Sequence, residues 1–124
     1  MATLVNDPPV RVVLTTCPDE ETARRIARTL VEERLAACGN VVPGVASVYR
    51  WEGAIETAAE CLLILKTRDD RVPALAARLG VLHPYDVPEM LALPVAAGAG
   101  PYVRWVLAEA GRETPAVEET SGEA

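Results

Sequence analysis

The first half of the chain changes from a hydrophobic pattern typical of strands to one typical of helices. Residues 10–16 are nearly all apolar and rich in β-branched side chains, which favours a strand covered on both faces. Asp19 then provides a suitable N-cap for a helix. Apolar residues recur at helical spacing, at Ala23, Ile26, Ala27, Leu30 and Val31. The pattern predicts a strand and an amphipathic helix, which Gly39 and Asn40 would end.

A long hairpin is predicted after this helix. Residues 41–51 have the composition of a strand, with a bend expected at Gly44. Glu52 and Gly53 suit a tight turn, and residues 58–67 return as a second strand around an apolar centre. The two strands are therefore expected to pair in antiparallel fashion.

A second helix and another strand follow the hairpin. Asp69 or Asp70 would cap the helix, and Gly80 would stop it. Residues 90–95 are predicted as a short strand. Because Pro94 has no N–H to donate, this strand is expected at an edge of the sheet.

The ends of the chain are predicted to lie outside the folded domain. Residues 1–9 are expected to be flexible, and residues 111–124 to form a disordered acidic tail, because they carry little apolar surface to bury. The domain itself would cover residues 10–110. Its last part contains a glycine-rich hinge at 98–100 and a final helix at 101–110.

The predicted element order is β-α-β-β-α-β followed by a C-terminal helix. This order defines the ferredoxin-like α+β fold, and right-handed crossovers place both main helices on one face of the sheet. The opposite face then needs another cover. We expect oligomerisation with closed cyclic symmetry to provide it.

Charge and cysteine content exclude several classes of function. The net charge of −6 offers no basic footprint for nucleic acid, which leaves an RNA-binding module, suggested by the element order, as a remote third hypothesis. There is no apolar run near 18 residues and no signal-peptide pattern, so we expect a cytoplasmic protein without membrane contact. Three cysteines without CxxC spacing suit reduced thiols.

The segment between the second helix and the following strand carries the candidate chemistry. Residues 83–89 contain the only histidine of the chain, His83, and two prolines that stiffen the backbone. His83 either binds a metal or orders the loop through a hydrogen bond to backbone or to Glu89. No nucleophile has a recognisable base partner, and no glycine-rich loop suits a phosphate, so the protein is not expected to be an enzyme.

Several motifs in shared order give the chain a resemblance to a known family. They lie between Val12 and Trp105, at residues 18–20, 35–38 with Asn40, 42–44, 47–53, 65–67, 83–85 with Pro88 and Glu89, and at Tyr102 with Trp105. In this arrangement the chain resembles the CutA divalent-cation-tolerance family. The resemblance implies a ferredoxin-like subunit in a tightly packed homotrimer built like the PII signalling proteins. It also implies an association with copper and other divalent cations.

The copper ligands of that family match this chain only in part. The resemblance implies a cysteine on the first strand and two adjacent histidines, but the chain has Thr15 and Leu82 at two of these positions and matches only at His83. Cys17 lies two residues after Thr15 and should face the same side, where its thiolate would suit copper(I). His83 and Cys17 are therefore the metal candidates, and the metal, copper or another divalent cation, would be held weakly.

The remaining candidate residues fall into three groups. Tyr49, Trp51, Tyr102 and Trp105 are expected to contribute to a trimer interface. Lys66, Tyr85 and Glu89 are candidates for a ligand pocket, although Lys66 could instead form an ion pair with Glu89. Cys38 and Cys61 are expected to be core residues. Two functions remain open. One is a metal-binding tolerance protein, and the other is a PII-like signalling or adaptor trimer that binds a small molecule or a protein in a cleft between subunits.

Overall fold

The computed structural model describes residues 3–111. Within these residues the strands are β1 (Leu4–Asn6), β2 (Val10–Cys17), β3 (Cys38–Trp51), β4 (Ala54–Arg68), β5 (Leu91–Pro94) and β6 (Ala97–Ala99). The helices are α1 (Glu20–Glu32), α2 (Val72–Leu82) and α3 (Gly100–Glu109), and a short 3-10 turn at Asp69–Arg71 leads into α2. The order from β2 to β5 is the predicted β-α-β-β-α-β series.

Four strands form one antiparallel sheet in the order β3-β4-β2-β5. This order confirms the ferredoxin-like fold. Both α1 and α2 cover the same face of the sheet, because side chains from both helices share one core with β2 and β4. The largest buried members of that core are Ile26, Leu30, Leu63, Leu65, Leu75 and Leu79.

The other face of the sheet keeps a band of apolar side chains at its surface. In β2, Val13 lies beneath the helices, whereas Val12 and Leu14 point the other way and are only half-buried. Leu93 and Leu91 stand opposite these two residues on β5 and are 44% and 57% exposed. We call this face, centred on these four residues, the open sheet face. Such a contiguous apolar band is typical of an interaction surface.

The N-terminal segment is a strand rather than the flexible lead-in that was predicted. Leu4–Asn6 pairs with Ala97–Ala99, which replaces the predicted hinge at 98–100. Val5 is 1% exposed and packs in a second core with α3. The prediction was wrong because one buried side chain in a three-residue strand gives almost no pattern. Residues 1–2 and 112–124, on which the rest of the terminal predictions fall, lie outside the described residues.

Neither main helix ends at the glycine that was predicted to stop it, Gly39 for α1 and Gly80 for α2. Helix α1 stops at Glu32, and Arg34 takes the positive φ of 59° that was expected of Gly39. Gly39 instead lies in β3, where α1 crosses it closely. Helix α2 continues through Gly80 to Leu82 because Leu79 is buried in the core and holds the last turn against the sheet.

The β3–β4 hairpin extends well past the end of the sheet. Its strands have 14 and 15 residues, whereas β2 has only 8 and pairs with β4 no further than Cys17 opposite Cys61. The predicted bend appears as a break in register between Val42 and Val45, and Gly53 at the turn has a φ of 81°. We call residues 45–60 the hairpin arm. It forms one wall of the site described below.

None of the helices in the described residues is long and apolar enough to cross a membrane.

Two glycines provide a matched test of this packing. A Cβ at Gly39 would lie 2.9 Å from the Cβ of Ala27 and 3.1 Å from a methyl group of Leu65, whereas a Cβ at Gly80 would meet no atom within 4 Å. We expect Gly39→Ala to lower the free energy of unfolding by about 1–3 kcal/mol through overpacking. Gly80→Ala should raise it by roughly 0.5–1 kcal/mol, because alanine is the better helix former.

Guanidinium unfolding at one fixed protein concentration measures both effects. Equal midpoints for Gly39→Ala and the unsubstituted protein would show that α1 does not press on β3 in this way.

Candidate functional site

The loop after α2 is fixed to the sheet by the histidine side chain. His83 is 6% exposed, and its Nε2 lies 2.8 Å from the carbonyl oxygen of Thr16 at the end of β2. Its Nδ1 lies 3.1 Å from the backbone nitrogen of Tyr85 and accepts that N–H. Because a carbonyl oxygen can only accept, Nε2 must carry the proton, and both ring nitrogens are occupied in the neutral tautomer. The structure therefore gives His83 the loop-ordering role that was the alternative to metal binding.

Tyr85 makes a second connection between the loop and the hairpin. Its hydroxyl donates to a carboxylate oxygen of Glu60 on β4 over 2.7 Å, and its ring centroid lies 4.7 Å from that of His83. Burial, and then the hydrogen bond to Glu60, raise the pKa of the Tyr85 phenol well above its usual value. The phenol therefore stays protonated and keeps donating to the carboxylate.

Between the loop and the hairpin arm lies a cleft of about 660 Å³. Its walls are formed by Thr16, Ser47, Val48, Tyr49, Trp51, Glu60, Pro84, Tyr85, Asp86, Val87 and Glu89. Glu60, Asp86 and Glu89 are the charged members of this set, and none of the described lining residues is basic. The volume is typical of small-molecule sites in proteins. Its chemistry combines carboxylates with aromatic rings.

Cys17 lies behind the cleft, on the helix-covered face of β2. It is fully buried together with Thr15, as strand alternation predicted, and stands directly opposite Cys61. Burial first, and then the adjacent Cys61 sulfur and the Asp19 carboxylate, raise the pKa of the Cys17 thiol to about 11. A thiol in this state is a poor metal ligand until a metal displaces its proton.

The structure brings most of the candidate site residues into one corner of the molecule. His83 is bonded to the residue that precedes Cys17, and Tyr85 and Glu89 line the cleft in front of them. In residues 3–111, however, no group of three or more His, Cys, Asp or Glu side chains is arranged to hold a metal ion. The donor set at the corner, one imidazole and one protonated thiol, fits weak binding only.

Lys66 does not belong to this corner, and its predicted pairing with Glu89 is wrong. Its ammonium donates to the side-chain oxygen of Asn40 on β3. Glu60 lines the cleft six positions earlier in the same strand, which corresponds to roughly 20 Å at the usual strand rise. A lysine at the end of an apolar strand suggested that Lys66 binds a ligand or forms an ion pair. The register of β4 instead places Lys66 at the far end of the sheet.

The aromatic candidates for an interface occupy two places in the fold. Tyr49 and Trp51 lie on the hairpin arm and line the cleft, 44% and 47% exposed. Tyr102 and Trp105 lie on α3 with ring centroids 5.7 Å apart and are exposed to a similar degree. Their exposure in a single chain is compatible with the interface that was predicted for them.

Cys61 is 2% exposed in the core as predicted, but Cys38 is not a core residue. It begins β3 instead of ending α1, is only half-buried, and has its sulfur 3.7 Å from the Tyr102 hydroxyl. The prediction failed because α1 ends at Glu32, whereas the predicted stop at Gly39 would have left Cys38 at the end of the helix.

Sequence reasoning missed Glu60 as a member of the site. A signal for it was present, because Glu60 is a lone carboxylate immediately before the apolar run of β4. Only the three-dimensional structure, in which β4 continues past the end of β2, shows that the Glu60 carboxylate accepts a hydrogen bond from Tyr85.

The sheet order and the helix layer define the chain as a ferredoxin-like α+β protein with a cleft at one end of its sheet. A family model described as "CutA1 divalent ion tolerance protein" matches residues 11–109. The chain belongs to this family.

Relatives in several kingdoms agree with this assignment. The chain is 52% identical over 100 residues to the divalent-cation tolerance protein CutA of Thermus thermophilus, covering 81% of this chain and 97% of that protein. It is 47% identical over 97 residues to human protein CutA, covering 78% of this chain and 54% of the human one. The chain thus spans about half the length of that mammalian relative.

Solved structures give the same result. A structure titled divalent cation tolerance protein (Cut A1) from Thermus thermophilus matches with a TM-score of 0.81 at 51% identity, over 82% of this chain and 99% of that one. CutA1 from Oryza sativa matches with a TM-score of 0.82 at 42% identity, over 87% of this chain and 98% of that one.

Removing the Tyr85 hydroxyl tests the connection between loop and arm. Tyr85→Phe leaves the Glu60 carboxylate without its donor, so we expect the free energy of unfolding to fall by about 1–2 kcal/mol. Tyr49→Phe removes a hydroxyl from an exposed ring of the same cleft and should change it by less than about 0.5 kcal/mol. Urea unfolding measures both variants, and equal losses would argue against a specific role for the Tyr85–Glu60 bond.

Proposed function

We propose that the protein is a cytoplasmic, non-catalytic homotrimer that binds divalent cations weakly, copper among them. The observation that carries the proposal is membership of the CutA1 divalent ion tolerance family over residues 11–109. The names of relatives place some of them elsewhere, since one in Oryza sativa is called chloroplastic and one from Archaeoglobus fulgidus periplasmic.

The metal would bind at the corner formed by His83 and Cys17. A metal at Nδ1 of His83 must displace the Tyr85 N–H, and a metal at Cys17 must displace a proton whose pKa is raised to about 11. Both steps oppose binding, which is why we propose weak affinity. Imidazole and thiolate together suit copper better than they suit hard cations such as magnesium.

The homotrimer is supported by the open sheet face. Leu91 and Leu93 are about half exposed beside Val12 and Leu14, and no other element of the described chain covers them. A second copy that lies over this band would remove its apolar surface from water.

The cleft favours a second function, that of a PII-like signalling or adaptor trimer that responds to a small molecule. Tyr85 and Glu89 were predicted to line a ligand cleft between subunits, and within the single chain both lie in the wall of the 660 Å³ cleft, which supports this function. The cleft is far larger than one metal ion needs. Thermal-shift measurements across a metabolite panel test this function, and a panel without any shift would remove its support.

A copper titration with three variants tests the metal proposal. We expect His83→Ala and Cys17→Ser each to weaken copper binding by about tenfold or more, because each removes one of two ligands. Cys38→Ser is the matched control, since Cys38 lies on the other side of the sheet, and should leave the affinity unchanged. Isothermal titration calorimetry measures the three affinities.

The pH dependence gives an independent check. Because the thiol of Cys17 is protonated below a pKa of about 11, binding must release its proton. The thiol should therefore make the affinity rise by about tenfold per pH unit between pH 6 and 8, and Cys17→Ser should lack this part of the rise. Wild-type affinity in both His83→Ala and Cys17→Ser would place the metal elsewhere.

Sedimentation equilibrium tests the trimer. We expect three times the chain mass of 13.2 kDa, about 40 kDa, at micromolar concentration. Leu93→Glu puts a charge in the open sheet face and should shift the mass towards the single chain, because burying an unpaired carboxylate is costly. A mass of 13.2 kDa for the unsubstituted protein would contradict the proposal.

A further inference from the structure

We propose that Cys17 and Cys61 form a site of reversible oxidation, at which a peroxide converts the two thiols into a cross-strand disulfide. The site itself is independent of metal binding and of the cleft. Both side chains belong to the core beneath the helices and not to the surfaces assigned to subunit contacts.

The register of the sheet brings the two cysteines face to face. Cys17 ends β2 and stands directly opposite Cys61 on the antiparallel strand β4. Opposite residues of antiparallel strands have Cα atoms about 4.5 or 5.5 Å apart, depending on whether they share hydrogen bonds. Disulfides occur at Cα separations of about 4.4–6.8 Å. In either case the backbone already has a spacing that a disulfide allows.

The two side chains also lie on the same face of the sheet. Both are buried in the core between sheet and helices, Cys17 completely and Cys61 to 2% exposure. Burial is the main cause of the raised pKa of the Cys17 thiol, and the Cys61 sulfur is the next cause, so the two sulfur atoms interact.

The third cysteine of the chain is out of reach of this pair. Cys38 stands opposite Lys66 on β4, and Lys66 lies five residues after Cys61 in that strand. Five residues of strand correspond to roughly 17 Å. A disulfide within one chain therefore has a single choice of partners.

The position of the pair at the end of the paired region gives a small oxidant access. Cys17 and Cys61 are the last of the eight residue pairs between β2 and β4, and Pro18, which follows, has no N–H to extend the pairing. The end of a paired segment opens locally at a lower cost in free energy than its centre. Hydrogen peroxide is small enough to enter during such an opening.

The reaction balances with a peroxide as the oxidant. One thiol reacts with hydrogen peroxide to give a sulfenic acid and one water. The opposite thiol attacks the sulfenic sulfur, which forms the S–S bond and releases the hydroxyl group with the thiol proton as a second water. Two thiols and one peroxide thus give one disulfide and two waters. A thiol reductant reverses the modification by thiol–disulfide exchange.

Oxidation would also remove the Cys17 sulfur as a metal ligand, because the thiolate is the form that binds metals. This consequence, unlike the disulfide itself, rests on the proposed metal function. The oxidised protein should bind copper as weakly as Cys17→Ser does.

The experiment treats the full-length Cys38→Ser variant, whose only thiols are Cys17 and Cys61, with hydrogen peroxide under native conditions. We expect both thiols to disappear, the chain to lose two hydrogen atoms by mass spectrometry, and a peptide with Cys17 to be linked to one with Cys61. Dithiothreitol should restore both thiols. Cys61→Ser keeps Cys17 and Cys38 and is the matched control, which should form no disulfide within a chain.

Urea unfolding of the oxidised and reduced Cys38→Ser variant provides a second measurement. The disulfide closes a loop that contains α1 and β3, which restricts the unfolded chain. We expect the oxidised form to unfold at a higher urea concentration than the reduced form at the same protein concentration. A lower midpoint would show that the bond strains the sheet, and would overturn the proposal.

Two further results would overturn it. One is that both thiols stay free, or become sulfinic acids, after treatment with peroxide. The other is an equal yield of disulfide within the chain in the Cys61→Ser control, because this would show that the register of the strands does not select the partners.

Copper calorimetry separates this proposal from the metal function. If the disulfide forms and the oxidised protein binds copper as tightly as the reduced one, the oxidation site stands and Cys17 is not a metal ligand. If no disulfide forms while reduced His83→Ala and Cys17→Ser both bind copper more weakly, the metal function stands and the oxidation site is wrong.

Discussion

The architecture of the site follows from the difference in length between β2 and β4. Strand β4 pairs with β2 over 8 residues and continues beside β3 past the point where β2 ends. Its second half is therefore a core strand, while its first half becomes one side of the hairpin arm. Because nothing in β2 fills the space beyond Cys17, the loop after α2 can approach the arm there, and a cleft results. The site is a consequence of unequal strand lengths.

Hydrogen bonds of the His83 side chain hold the loop at that position. An imidazole can accept one hydrogen bond and donate another in fixed directions, so it joins the Thr16 carbonyl to the Tyr85 amide through one rigid ring. The bond from Tyr85 to Glu60 completes a connection from β2 through the loop to β4. Histidine is a residue type that suggests a metal ligand, but the hydrogen bonds of His83 hold the loop that forms one wall of the cleft.

Sequence patterns predicted the sheet order and the helix layer because each depends on many apolar side chains. The paired strand Leu4–Asn6 was missed because it depends on one buried residue, Val5, whose partner β6 is equally short. Loop composition indicated that His83, Tyr85 and Glu89 belong together, since seven consecutive residues stay close in any fold. The distance of Lys66 and the contribution of Glu60 depend on strand register, which no local pattern contains.

The end of β2 also separates the buried Cys17 thiol from the cleft. Thr15 and Cys17 face the helices and are fully buried, whereas Thr16 between them faces the cleft. Under the proposed function, a soft ion bound at the Cys17 thiol would lie on the helix side of the sheet. A small molecule in the cleft would lie on the other side of the His83 loop. The two ligands would share the loop as a common wall, so occupancy on one side that moves His83 would change the shape of the other.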